Sequence, residues 1–161
     1  MKLKIITTGG TIDKVYFDAN STYEVGESAI PEILRESNVT LDYDVTNLLR
    51  KDSLELTDED RALIRATIEA SDETRFVVTH GTDTMVETAR ALQGLEGRTV
   101  VLTGSLRPAR FRTTDAVFNV ASAVTAAQCL PPGVYVAMNG RVFDPQHVRK
   151  NREANRFEET E

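Results

Sequence analysis

Arg75-Phe76-Val77-Val78-Thr79-His80-Gly81-Thr82-Asp83-Thr84 decides the fold. Phe76, Val77 and Val78 are apolar on successive positions, the pattern of a strand covered on both faces. A helical pattern follows at once over Asp83 to Gln93, with Met85, Ala89 and Leu92 at helical spacing and a stop at Gly94. The same rhythm runs outward in both directions. Upstream, Leu3 to Thr7 reads as a strand ending at Gly9-Gly10, and Leu41 to Leu49 as another. Downstream, Thr99 to Thr103 ends at Gly104, and Gly133 to Met138 ends at Asn139-Gly140. Helical segments lie between them. Ile30 to Glu36 tolerates Pro31 in its first turn. Thr57 is an N-cap with Asp60 three residues on, ahead of Leu63, Ile64 and Ile68. Thr113 or Thr114 caps a helix carrying Val117, Val120, Ala121 and Val124. Alternating strands and helices predict an α/β class: a single Rossmann-like domain, mainly parallel sheet, with helices on both faces.

The chain has 161 residues, enough for one domain and one good core. The domain is expected over residues 1–147, with residues 148–161 a charged tail or helix. The stretch from Asp13 to Ser28 is long and polar, and loops of that length are more often functional than accidental. It is expected to act as a lid. Lys plus Arg is 19 and Asp plus Glu is 25, a net charge of -6. That sign opposes phosphate, so no nucleic-acid partner is expected despite the cluster Arg107, Arg110 and Arg112. No apolar run approaches the ~20 residues of a membrane span, and MKLKIITTGG does not read as a signal peptide. One cysteine, Cys129, excludes an internal disulfide and a Cys-based zinc site, and reads as a buried inert thiol. With His80 and His147 the only histidines, no metal site is expected. These features fit a cytoplasmic setting.

In open α/β sheets, ligands sit outside the carboxyl ends of the strands. Thr8-Gly9-Gly10-Thr11-Ile12 follows the first strand, Asp52-Ser53 the second, His80-Gly81-Thr82-Asp83 the third and Gly104-Ser105-Leu106-Arg107-Pro108 the fourth. One rim thus collects Thr11, Ser53, Thr82 and Asp83. Neither Gly-x-Gly-x-x-Gly nor a Gly-Lys-Ser/Thr run is present, which argues against a nucleotide site. Hydroxyls from three strand ends and one carboxylate suit a hydroxyl nucleophile attacking a carbonyl, with backbone N–H groups at a helix start to hold an oxyanion or carboxylate. A Ser-His-Asp triad is less attractive, because Gly-x-Ser-x-Gly is absent.

Thr8-Gly9-Gly10-Thr11-Ile12 and His80-Gly81-Thr82-Asp83-Thr84 resemble the two motifs of the bacterial-type L-asparaginase (asparaginase/glutaminase) family. Tyr23-Glu24-Val25-Gly26, Asp52-Ser53 and Gly104-Ser105-Leu106-Arg107-Pro108 fall in matching order. The resemblance covers nearly the whole chain but only the N-terminal domain of the usual member, and implies a short, single-domain form lacking the C-terminal domain. It implies hydrolysis of L-asparagine to L-aspartate and ammonia without a cofactor. Thr11 would be the nucleophile, helped by a loop tyrosine, either Tyr16 or Tyr23. Asp83 would contact the substrate ammonium, Thr82 would stand near the scissile amide, and Ser53 would hold the α-carboxylate. A homo-oligomer, a dimer or larger, would cover the open rim. The alternatives are a catalytically weak amino-acid-binding module and a hydrolase of another small amide such as glutamine.

The resemblance also places a lysine six residues before the glycine of the strand-end motif, where this chain has Arg98. An arginine stays charged and cannot act as a base. Another group must then take the nucleophile's proton. Lys14 reads as a solvated loop charge. Lys150 follows the fifth strand end on the correct edge of the sheet, and is either a solvated tail charge or the replacement. Leu54, after Ser53, stands where some relatives carry a polar residue.

Overall fold

The computed structural model describes residues 1–16 and 24–161. The expected lid falls partly outside them, and so does Tyr23. The chain runs β1 (Leu3–Gly9), β2 (Lys14–Val15), β3 (Glu24–Val25), α1 (Ile30–Glu36), β4 (Tyr43–Lys51), α2 (Asp58–Glu69), β5 (Arg75–Thr79), α3 (Met85–Ala91), β6 (Thr99–Thr103), α4 (Ala116–Cys129), β7 (Gly133–Met138), β8 (Arg141–Phe143), β9 (Val148–Asn151) and β10 (Arg156–Glu159).

Six strands form the main sheet in the order β4-β1-β5-β6-β7-β8. All pairs are parallel except β7 with β8. Registers are level: Leu3 pairs with both Tyr43 and Arg75, and Arg75 with Thr99. The carboxyl ends of five parallel strands therefore meet on one rim. Side chains alternate across the sheet, as strand geometry requires. Phe76, Val78, Val100 and Leu102 pack with Ile64 and Ile68 of α2 and Met85 of α3. Val77 and Val101 face the other way, toward Ile30 and Leu34 of α1 and Val120 and Ala123 of α4. The successive apolar residues of β5 and β6 serve two cores at once, and the expected α/β class with helices on both faces is observed.

Local signals set the helix starts. Thr57 Oγ1 accepts from the Asp60 N–H at 3.2 Å, and the Asp60 carboxylate accepts from the Thr57 N–H at 3.0 Å. That reciprocal box satisfies two donors the helix leaves open. The third helix begins at Met85 rather than Asp83, with Thr84 as its N-cap residue. Thr82 and Asp83 therefore belong to the loop. Asp115 precedes α4, and its carboxylate caps the preceding loop instead, accepting from the N–H groups of Leu106 and Arg107.

Two expectations are corrected. Cys129 is exposed at the end of α4, not buried, because Ala126 and Ala127 take the core-facing positions there. The charged tail or helix over residues 148–161 is instead an antiparallel hairpin, with Val148 paired to Glu159 and Lys150 to Phe157. Its charge hides two anchors: Val148 and Phe157 are both buried in the larger core. Phe157 also donates its N–H to Asn139 Oδ1 at 2.8 Å. Among the described residues, no helix is long and apolar enough to cross a membrane.

Candidate active site

Close backbone approach assembles the rim. Gly10 has φ 89°, and a Cβ there would strike the backbone of Gly81. A Cβ on Gly81 would stand 2.6 Å from the Ser53 Cβ. Loops after β1, β5 and β4 are thus in mutual contact, and only glycine permits it at both positions. Thr11 opens a short 3-10 turn over Thr11–Asp13, directly after the two left-handed glycines. Ser53 opens another over Ser53–Glu55 and is buried. Its carbonyl accepts from the Thr84 hydroxyl at 2.7 Å, a bond between the β4 and β5 loops. Leu54 points to solvent.

Thr82 is nearly buried, and Asp83 is half-buried beside it. Lys150 Nζ donates to Thr82 Oγ1 at 2.8 Å and to Asp83 Oδ1 at 2.9 Å. Two strand positions after the buried Val148, Lys150 shares its side of β9. Anchoring Val148 in the core therefore presents the lysine to the rim. Along the sequence Lys150 is only one of several candidates for that place.

Arg98 is nowhere near this cluster. It immediately precedes β6, at the amino end of the sheet, and donates to the carbonyls of Glu69 at 3.1 Å and Ser71 at 3.3 Å. A five-residue strand rising ~3.3 Å per residue sets it roughly 15 Å from the rim. The expectation that Arg98 stands in the place of a site lysine is therefore wrong: a strand start and a strand end lie on opposite edges of a sheet.

Tyr16 follows β2 and is exposed. Lys14 is not a free loop charge: it pairs with Asp52 at 3.3 Å, joining the β1 and β4 loops. The N–H of Leu54, with Lys14 second, holds the Asp52 carboxyl below its usual range.

Two buried titratable groups brace the rim. Asp13 Oδ1 accepts from the Ala29 N–H at 2.9 Å, and its carbonyl accepts from the Gly26 N–H at 2.8 Å. Burial pushes its carboxyl up to about 6. His80 is fully buried, its Nδ1 2.6 Å from the Gly81 carbonyl and its Nε2 2.7 Å from Thr88 Oγ1. Burial pushes its imidazole down to about 4. The neutral ring with Nδ1–H donating satisfies both neighbours.

These two groups oppose one another in acid. Asp13, raised from 3.8, contributes stability that is complete below about pH 4 and lost as pH rises through 6. His80, lowered from 6.5, contributes stability present above about pH 6.5 and lost as pH falls through 4. Each is worth about 3 kcal/mol and of opposite sign over one window, so they largely cancel in the parent. Asp13→Asn keeps the acceptor for Ala29 and removes the ionisation. Urea unfolding of this variant should therefore show the His80 dependence bare: stability relative to the parent rises by about 1–3 kcal/mol between pH 4 and 7. A difference that stays constant across that range would refute the account.

Comparison with known proteins accords with this geometry. The family model described as "Asparaginase, N-terminal" matches residues 2–158. The L-asparaginase of Thermococcus kodakarensis is 35% identical over 164 residues, covering 93% of this chain and 48% of that protein. The solved structure of the thermostable L-asparaginase from Thermococcus kodakarensis superposes with a TM-score of 0.84 at 28% identity, covering 99% of this chain and 51% of that chain. The probable periplasmic L-asparaginase of Haemophilus influenzae is 32% identical, covering 92% and 46%. The glutaminase-asparaginase of Acinetobacter glutaminasificans is 29% identical, covering 91% and 48%. The chain spans about half the length of these relatives. A motif-bearing rim, a matching sheet and a family match across nearly all residues lead to one conclusion: the chain belongs to the asparaginase family.

Proposed function

We propose that this chain is an amidohydrolase that converts L-asparagine to L-aspartate and ammonia, with Thr11 as nucleophile. The observation that carries the reading is the contact of Lys150 with both Thr82 and Asp83, at the rim that also bears Thr11 and Ser53. Thr11 Oγ attacks the side-chain amide carbon and its proton passes to the rim network. The network delivers that proton to the amide nitrogen, the C–N bond breaks, and ammonia leaves with an ester on Thr11. Water gives a proton to the same network and attacks the ester, the C–O bond breaks, the network returns the proton to Thr11 Oγ, and aspartate is released. A hydroxyl is a weak nucleophile without a neighbouring base, which is the work assigned to Thr82 with Lys150 and to a loop phenol. Tyr16 is the described candidate for that phenol, and Tyr23 lies outside the described residues. Asp83 is the carboxylate for the substrate ammonium, and buried Ser53 is a donor for the α-carboxylate.

Further parts of the proposal are a homo-oligomer, with a two-fold pair the simplest form, and a cytoplasmic setting, in keeping with the single cysteine. The test is ammonia release from L-asparagine and L-glutamine, run beside calorimetric binding of L-aspartate. Turnover of asparagine above glutamine is expected. Saturable aspartate binding with no turnover of either amide would replace the enzyme with a binding module.

A further inference from the structure

Asp83 already carries two cations. The same oxygen, Oδ1, takes Lys150 Nζ at 2.9 Å and Arg152 Nη2 at 3.5 Å. The two cations are held very differently. Lys150 is 16% exposed, sits on the anchored strand β9 and is also bound by Thr82. Arg152 is 66% exposed and lies in the turn between β9 and β10. Its reach to Asp83 is long, and its guanidinium lies largely in solvent. Both residues line a cavity of about 270 Å³ whose charged lining is Asp83, Glu87, Arg90, Arg149, Lys150 and Arg152. Four cations and two carboxylates therefore line the cavity beside Thr82 and Asp83, on a chain whose overall charge is -6.

A ligand ammonium entering this cavity seeks Asp83 and meets positive charge on it. Lys150 is fixed, so Arg152 must give way. A ligand of the same shape without an ammonium has no such contest.

We propose that Arg152 is a specificity-determining residue: its guanidinium occupies the carboxylate that a substrate ammonium must take. It thereby weakens the site's preference for α-amino acids over their deamino analogues. This rests on the reading that Asp83 receives the substrate ammonium. The pair is exposed, so its effect is modest, about two- to fivefold.

The experiment is calorimetric binding of L-aspartate and of succinate, which differ by the ammonium alone, to the full chain at low ionic strength. In Arg152→Ala the ratio of aspartate to succinate affinity should rise about two- to fivefold over the parent. Arg152→Gln, which keeps much of the length without the charge, should do the same if the alanine variant is poorly folded. The gain should shrink in about 0.5 M salt, where exposed charges are screened. A ratio that stays the same or falls would overturn the proposal, because Arg152 would then act on a carboxylate common to both ligands or on neither. Failure of either ligand to bind the parent would overturn it as well. Absence of ammonia release from asparagine, with the ratio shifted as expected, would instead remove the hydrolase reading and leave the competition for Asp83 standing.

Discussion

Thr11→Ala should lower asparagine hydrolysis by about 10³-fold or more, while the protein unfolds at the parent's denaturant concentration. The side chain stands at the start of a short turn on the rim, only partly buried, so its removal opens little core. Gly9 and Gly10, not the threonine, impose the left-handed backbone before it. The turn's hydrogen bonds, such as the Asp13 N–H to the Gly10 carbonyl at 3.1 Å, belong to the main chain and survive. What disappears is the oxygen proposed to form the ester. Thr82→Val is the matching control on the second motif, since it keeps the side-chain shape and deletes the oxygen that Lys150 binds. A loss of about 10²–10⁴-fold in kcat is expected there, the usual reach of a positioned proton-transfer partner. Single-turnover assays on both variants check this. Parent-like turnover by either variant would remove that threonine from the reaction.

Lys150→Met should cut kcat by about 10²–10⁴-fold, and Arg98→Met should leave kcat near the parent's value. Methionine keeps most of the lysine stem and loses the amine that bonds to Thr82 and Asp83. The hairpin should hold, because Val148 and Phe157 anchor it. Arg98→Met acts on a different quantity. The guanidinium ties the carbonyls of Glu69 and Ser71 to the start of β6, and losing it leaves those acceptors to water. A stability loss of about 0.5–1.5 kcal/mol is expected, with activity per folded molecule preserved. The pair of variants thus separates chemistry from structure, read by kcat on one side and urea midpoints on the other. Should Lys150→Met keep the parent's kcat, the amine is not in the proton path, and the proton must leave through a tyrosine or water.

Arg98 and Lys150 also mark the boundary of what can be read along the chain. The five parallel strands and the four helices were legible because each depends on neighbours within a few residues. The apolar run Phe76-Val77-Val78 belongs in a doubly covered strand wherever that strand sits. Thr57 and Asp60 cap α2 through bonds three residues long. Thr11, Ser53, Thr82 and Asp83 were legible as a set because all follow strands, and parallel strands in level register deliver their ends to one rim.

Which lysine reaches that rim was a different kind of question. Lys150 meets Thr82 and Asp83 across separations of 68 and 67 residues. That meeting depends on burial of Val148 and Phe157, two apolar residues scattered in a charged segment that carries no period long enough to read as a strand. The order β4-β1-β5, which puts the later strand β4 outside β1, is likewise unmarked in either strand's composition. Counting back from Gly104 to Arg98 failed because distance along an extended strand is distance across the sheet. The sequence by itself determined the five parallel strands, the four helices, the two motif loops and the edge on which chemistry collects, since these follow from local sterics and alternation. Only the tertiary structure decided which distant cations meet Asp83, because long-range pairing is settled by the burial of a few side chains against the whole core.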